Sequence, residues 1–137
     1  MYRAHTVSVG ILVPVGVAYD YAADPAHLPE WAPGFVHSIE RSGDHWVGQT
    51  TLGEVKLRFA SANLHGVLDH QIELGSSVVN NAMRVIPNGQ GCEVLFTAIQ
   101  RPGISDDQFR IDLEIVRADL NKLRTLLERR HSTENTQ

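Results

Sequence analysis

Cysteine is almost missing from this chain: Cys92 is the only one in 137 residues. A single thiol cannot close an internal disulfide, and its place in an alternating apolar stretch suits a small buried side chain. Long apolar runs are missing as well. The best candidate, Val7 to Ala18, is broken by Pro14, and Val7, Val9 and Ile11 alternate with Thr6, Ser8 and Gly10. That is a strand pattern, not the core of a signal peptide. Nothing reaches the ~20 apolar residues that a membrane span requires. Positive charge is also short, with 12 Lys and Arg scattered among 16 Asp and Glu for a formal net charge of −4. Phosphate backbones are held by clustered cations, so the charge pattern argues against nucleic acid as a partner. The expectation is a cytoplasmic protein of a reducing compartment.

Several chemistries lack their residues. The seven histidines are scattered, and the nearest grouping, His65, Asp69 and His70, splits across two faces of a strand, so no metal is expected. Cys92 has no neighbouring base, and no serine stands in a nucleophile elbow. Gly89 and Gly91 lie in a hairpin rather than ahead of a helix, so no phosphate loop forms and no cofactor is expected.

What is present is a series of short alternating strands followed by one long amphipathic helix. Ser105-Asp106-Asp107-Gln108 reads as a capping box, with acids at the positive end of the helix dipole. Phe109, Leu113, Val116, Leu120, Leu123 and Leu127 then recur at intervals of four and three, one apolar stripe running to about Arg130. Arg110, Asp112, Glu114, Arg117, Asp119, Lys122 and Arg124 flank that stripe. Upstream, His5 to Leu12 reads as a strand, and Pro14 ends it. Two short helices are expected next, Val15 to Ala23 and Pro25 to Trp31, the second capped by Asp24. Strands are then expected over residues 35–41, 45–52, 54–62, 66–74, 78–86 and 92–100. Asn88-Gly89 makes the strongest turn between them. The chain divides into one domain, residues 1–131, and a disordered polar tail, residues 132–137.

Alternation separates two faces. Glu54, Lys56 and Arg58 oppose Val55, Leu57 and Phe59, and Asp69, Gln71 and Glu73 oppose Leu68, His70 and Ile72. One face is wet and one is dry, and the dry face is where the helical stripe must lie. Four polar residues fall on the dry side: His37, Thr50, His70 and Asn81. Each unpaired buried polar group costs about 1–3 kcal/mol, so an internal cavity with a few polar fixing points is inferred. Trp31 and Phe35 are placed at its mouth, with Phe59, Met83, Val116 and Leu120 lining it. His70 admits three readings: a core histidine bonded to a neighbour, a ligand contact, or a proton shuttle.

The element order resembles the START-like, Bet v 1-like superfamily (SRPBCC) that includes polyketide cyclase/dehydrase-type proteins. The resemblance is carried by Tyr19-Asp20-Tyr21-Ala22-Ala23-Asp24-Pro25, Leu28 to Phe35, Gly66 to His70, Val85 to Val94 and Pro102 to Phe109. It implies an α+β helix-grip fold, with a curved antiparallel sheet of six or seven strands wrapped around the C-terminal helix. It also implies a cavity for lipids, polyketides or other ring compounds. No catalytic motif is matched residue by residue. The expected function is to carry or sense a small hydrophobic ligand. The alternatives are a cyclase or dehydratase using His70 for proton transfer, with Asn81 or Thr50 polarising the substrate, and a protein-interaction module. The sequence is compatible with a homodimer.

Overall fold

Residues 1–135 are described by a computed structural model. The first strand, β1 (Ala4–Ile11), buries Val7, Val9 and Ile11 and exposes the residues between them. Pro14 turns the chain into α1 (Val15–Ala22). The second short helix splits in two: a 3₁₀ turn over Pro25–His27, then α2 (Leu28–Trp31). Asp24 caps that turn through its carboxylate, which accepts the Ala26 N–H at 3.0 Å.

Six strands follow: β2 (Ser38–Ser42), β3 (His45–Thr50), β4 (Gly53–Phe59), β5 (His70–Leu74), β6 (Ser77–Asn88) and β7 (Gly91–Ile99). With β1 they form one antiparallel, curved sheet in the order β1-β7-β6-β5-β4-β3-β2. Strand β1 closes against the last strand of the meander, so the first and last strands of the chain lie side by side.

Helix α3 (Asp106–Asn135) ends the described chain. Ser105 Oγ accepts the Gln108 N–H at 3.1 Å, which is half of the expected capping box. The other half is absent: the Gln108 amide donates forward to Asp112 at 2.8 Å instead of back to the cap. The helix also continues through residues 132–135, assigned from sequence to a tail. Thr133 Oγ1 donates to the Arg129 carbonyl at 3.0 Å and adds to this last turn. Residues 136–137 of that assignment lie outside the described residues.

Phe109, Leu113, Leu120, Leu123 and Leu127 are buried, so the helical stripe does face the sheet. Its packing is uneven, however. The helix lies chiefly on β1 and α2, with little against the middle strands. One half of the concave face is therefore plugged by α3, and the half built from β2 to β5 is left with a looser cover.

Candidate functional site

The inward rows of the sheet follow from its register. Leu57 pairs Ile72, Phe59 pairs His70, His70 pairs Asn81, and Met83 pairs Phe96. Side chains in one row share a face, so these residues all look toward α3. Leu57, Leu68 and Met83 are fully covered. Ile39, Trp46, Phe59, Ile72 and Phe96 are only partly buried, although they face inward. Phe59, Ile72 and Phe96 lie on strands flanked on both sides, where inward apolar side chains are normally enclosed. Phe59 and Ile72 lie on the β2–β5 half and Phe96 on β7, so the inward face is incompletely covered across the middle of the sheet, and Phe35 and Val116 are likewise only partly buried.

His70 is the polar centre of that row and only 8% exposed. Its Nδ1 lies 3.0 Å from the Leu68 carbonyl, an acceptor that only a protonated nitrogen satisfies. In the neutral ring Nε2 is then the acceptor, and it receives the Asn81 Nδ2–H at 3.3 Å. Phe59 stacks on one side of the ring at 4.7 Å, and Phe96 lies tilted at 6.1 Å. Burial holds the imidazole pKa below its ordinary value, outweighing the Leu68 hydrogen bond and the Asp69 charge that raise it. The result is a neutral histidine with both nitrogens occupied within the protein. No carboxylate orients it as a base.

Asp69 has a different task. Its Oδ1 accepts the Met83 N–H at 2.9 Å and replaces a ladder bond between β5 and β6. The row of Ala60, Asp69 and Ala82 and the row of Arg58, Gln71 and Asn80 wall a shallow depression of about 350 Å³. By alternation both rows point away from α3, so the row of Phe59, His70 and Asn81 supplies the floor from behind. A second depression, about 850 Å³, lies at the far end of the molecule between Leu12, the Pro87–Gly91 turn and Glu128.

The other sequence candidates separate into three groups. Trp31, Met83 and Leu120 are buried in the core, and Phe35, Phe59 and Val116 pack against it from its edge. His70 and Asn81 are brought together. Thr50 and His37 are not. Thr50 Oγ1 donates to the Gly53 carbonyl at 2.8 Å and accepts the Leu52 N–H at 3.1 Å, which closes the β3–β4 turn. His37 is exposed, because β2 begins one residue later and Val36 takes the buried place.

Sequence reasoning missed Trp46, Ile72, Phe96 and Asp119. Asp119 was assigned to the solvated flank of α3, yet it is only 8% exposed. Its Oδ1 accepts the Gly34 N–H at 3.3 Å from the segment joining α2 to β2. Burial lifts its pKa to about 6, against the lowering effects of the Gly34 hydrogen bond and Lys122. The signal was available: Asp119 stands three residues after Val116 and four before Leu123, on the edge of the stripe.

Among the described residues, no helix is long and apolar enough to cross a membrane, and no group of three or more acidic, histidine or cysteine side chains is placed to hold a metal. No family model matches the sequence, and no curated protein resembles it closely enough to count as a relative. Solved structures do match. A START superfamily protein from Mycobacterium smegmatis is 10% identical over 92% of this chain and 97% of its own, with a TM-score of 0.70. The Zhui aromatase/cyclase from Streptomyces sp. R1128 is 14% identical over 95% and 96%, also at 0.70. The Bet v 1-type allergen Ara h 8.0201 is 14% identical over 93% and 98%, at 0.68. Such identities speak for the fold alone, and they agree on it: this chain has the helix-grip fold of the START-like, Bet v 1-like superfamily.

Proposed function

We propose that this protein binds a small hydrophobic ligand, a ring compound or a lipid, in a recess between α3 and the incompletely covered concave face of the sheet. One observation carries the reading. Phe59, Ile72 and Phe96 face inward on interior strands and still remain open to water. Exposed apolar surface costs about 25 cal/mol per Å², so a ligand that covers it is stabilised by the same amount. The His70–Asn81 pair supplies the polar marking on the wall, and its neutral, self-satisfied form suits an apolar neighbour. The superfamily fold, which includes an aromatase/cyclase among the matching structures, supports the same reading. Proton transfer by His70 is the weaker alternative, because neither ring nitrogen is left for a substrate.

Calorimetric titration with a panel of bicyclic aromatics and fatty acids tests it. A one-to-one complex is expected, and Ile72→Trp, which fills the recess, should abolish binding while leaving the melting temperature within a few degrees. Failure of every compound on the panel, or binding indifferent to Ile72→Trp, overturns the proposal.

A further inference from the structure

The sheet has two free edges, and they are built differently. Strand β2 is five residues long and carries Glu40 and Arg41, charges that discourage pairing with another chain. Strand β1, the other edge, is eight residues long and pairs with β7 from Ala4 to Ile11 without a bulge. The Gln100 N–H donates to the Arg3 carbonyl at 2.8 Å, so in this antiparallel ladder the odd-numbered residues of β1 bond to β7. The N–H and C=O groups of Ala4, Thr6, Ser8 and Gly10 therefore point to the free side. All four residues are exposed, and at Gly10 the exposed surface is backbone. Among the described residues these backbone groups have no hydrogen-bond partner. None of the four is charged or a proline, so nothing on this row blunts the edge.

Helix α3 runs beside this edge and is pinned to it at both ends. The Arg3 guanidinium lies 3.7 Å from Asp106 and 5.3 Å over the Phe109 ring. At the other end the Leu12 N–H, the next donor on the free side, donates to Glu128 at 2.8 Å. The spans match, with about 30 Å of strand from Arg3 to Leu12 and about 33 Å of helix from Asp106 to Glu128. Arg117 stands about three turns from each pin and Arg124 one turn before Glu128, so both lie on the flank that follows the edge. Arg110 is held by Asp107 and Glu114, whereas Arg117 and Arg124 are exposed and form no ion pair among the described residues.

We propose that β1 takes up one more strand, an extended peptide segment of a partner protein that carries acidic side chains on the side facing α3. Pairing with the free N–H and C=O groups of Ala4, Thr6, Ser8 and Gly10 supplies affinity, and carboxylates beside Arg117 and Arg124 supply selectivity. Glu128 shows the chemistry within the chain, because its carboxylate already sits on an edge N–H. A second copy of this chain is the poorer occupant. Two β1 strands paired about a two-fold axis at Val7 set Ala4 opposite Gly10 and Thr6 opposite Ser8. That arrangement also turns the Arg117 and Arg124 flanks of two α3 helices toward each other, and like charges repel.

The probes are a fluorescein-labelled octapeptide of alternating Thr and Glu, its Thr-Lys counterpart, and the Thr-Glu peptide N-methylated at every Thr. Binding is read by fluorescence anisotropy at low salt. Wild type should bind the Thr-Glu peptide roughly tenfold or more tightly than the Thr-Lys peptide, and added salt should narrow the gap. In the added strand the Thr amides face β1, so their methylation should abolish binding. Ser8→Pro removes an N–H that faces the free side and leaves the β7 ladder whole. It should weaken binding roughly tenfold or more while the melting temperature stays within a few degrees. Arg117→Glu combined with Arg124→Glu should reverse the preference between the two peptides. Equal binding of the Thr-Glu and Thr-Lys peptides, or binding of neither, overturns the proposal. Binding indifferent to N-methylation overturns it as well, and that result decides the matter if Ser8→Pro fails to fold. Sedimentation should show a monomer; a dimer that Ser8→Pro dissolves would make a second copy the occupant and overturn the acidic peptide.

Discussion

Asn81 and His70 stand opposite each other on neighbouring strands, and the Asn81 amide fills the one ring nitrogen of His70 that meets no carbonyl. This pairing turns two inward polar residues on a dry face into one satisfied unit. Breaking it should leave a buried partner unpaired. His70→Ala is expected to cost about 2–4 kcal/mol in urea denaturation, combining a cavity with an orphaned amide. Asn81→Ala should cost about 1–2 kcal/mol, and the double variant less than the two costs added together. Strict additivity would show that the two side chains do not act as a pair.

The same histidine has a pH signature. Burial keeps its folded pKa below the ordinary 6.5, so the unfolded chain takes up the proton first as acid is added. Its contribution is present above pH 6.5 and is lost as pH falls below that value. His70→Phe should therefore flatten the stability curve on the acid side of pH 6.5. A curve of unchanged slope would remove His70 from the acid response.

Asp119 acts in the opposite sense. Its folded pKa, about 6, lies above the ordinary 3.8, so the folded chain holds the proton more tightly. Stability from this group is full below pH 3.8 and is lost as pH rises through about 6. Lys122 is the charged group that acts on it, and the facing segment, residues 32–36, carries no titratable side chain. Asp119→Asn should stabilise the protein at pH 7 by up to about 3 kcal/mol and converge with wild type near pH 4. Parallel curves would mean that the carboxylate is not held in a desolvated place.

Gly66 should be the least replaceable glycine. Its φ is +71°, and a Cβ there would stand 2.0 Å from the Val85 carbonyl, whose own N–H donates to the Gly66 carbonyl at 2.9 Å. Gly66→Ala is expected to cost more than about 3 kcal/mol by chemical denaturation. Gly43, with φ +64° and open space around it, isolates the backbone term, and Gly43→Ala should cost about 1 kcal/mol. Similar losses at the two sites would refute the steric account.

Three helices are tied together by one carboxylate. Glu30 accepts the Tyr21 hydroxyl and the Arg130 guanidinium, the latter at 3.1 Å, and Arg130 lies 5.0 Å over the Tyr21 ring. The Tyr21 bond, with help from Arg130, holds the Glu30 pKa below its ordinary 4.5. This stability is present above pH 4.5 and is lost as pH falls. Tyr21→Phe should cost about 1–2 kcal/mol at pH 7 and less at pH 3, by thermal melts at each pH. A cost independent of pH would sink the role of Glu30.

Element types and order could be read from the chain because they depend on local rules. Periods of two and of 3.6, Pro14, the Asp24 cap and the Gly89 turn each act over a few residues. The dry face of the sheet and the buried stripe of α3 followed from the same periodicities, and so did the inward position of His70. Strand ends were less legible. Phe35 and His37 continue the alternation, but a strand needs a partner, and the pairing of this edge strand with β3 begins only at Ser38, opposite Gln49. Thr50 keeps the inward parity and still spends its hydroxyl on a turn.

What the tertiary structure alone decided is where α3 comes to rest. Its stripe could have covered any part of a dry face, and it settled over β1 and α2. That choice left Phe59, Ile72 and Phe96 partly open, joined Asn81 to His70, and drew Asp119 under the Gly34 segment. Periodicity names the face a residue is on. Only packing between distant segments, whose contacts span 85 residues at Gly34 and Asp119, determines whether that face is filled.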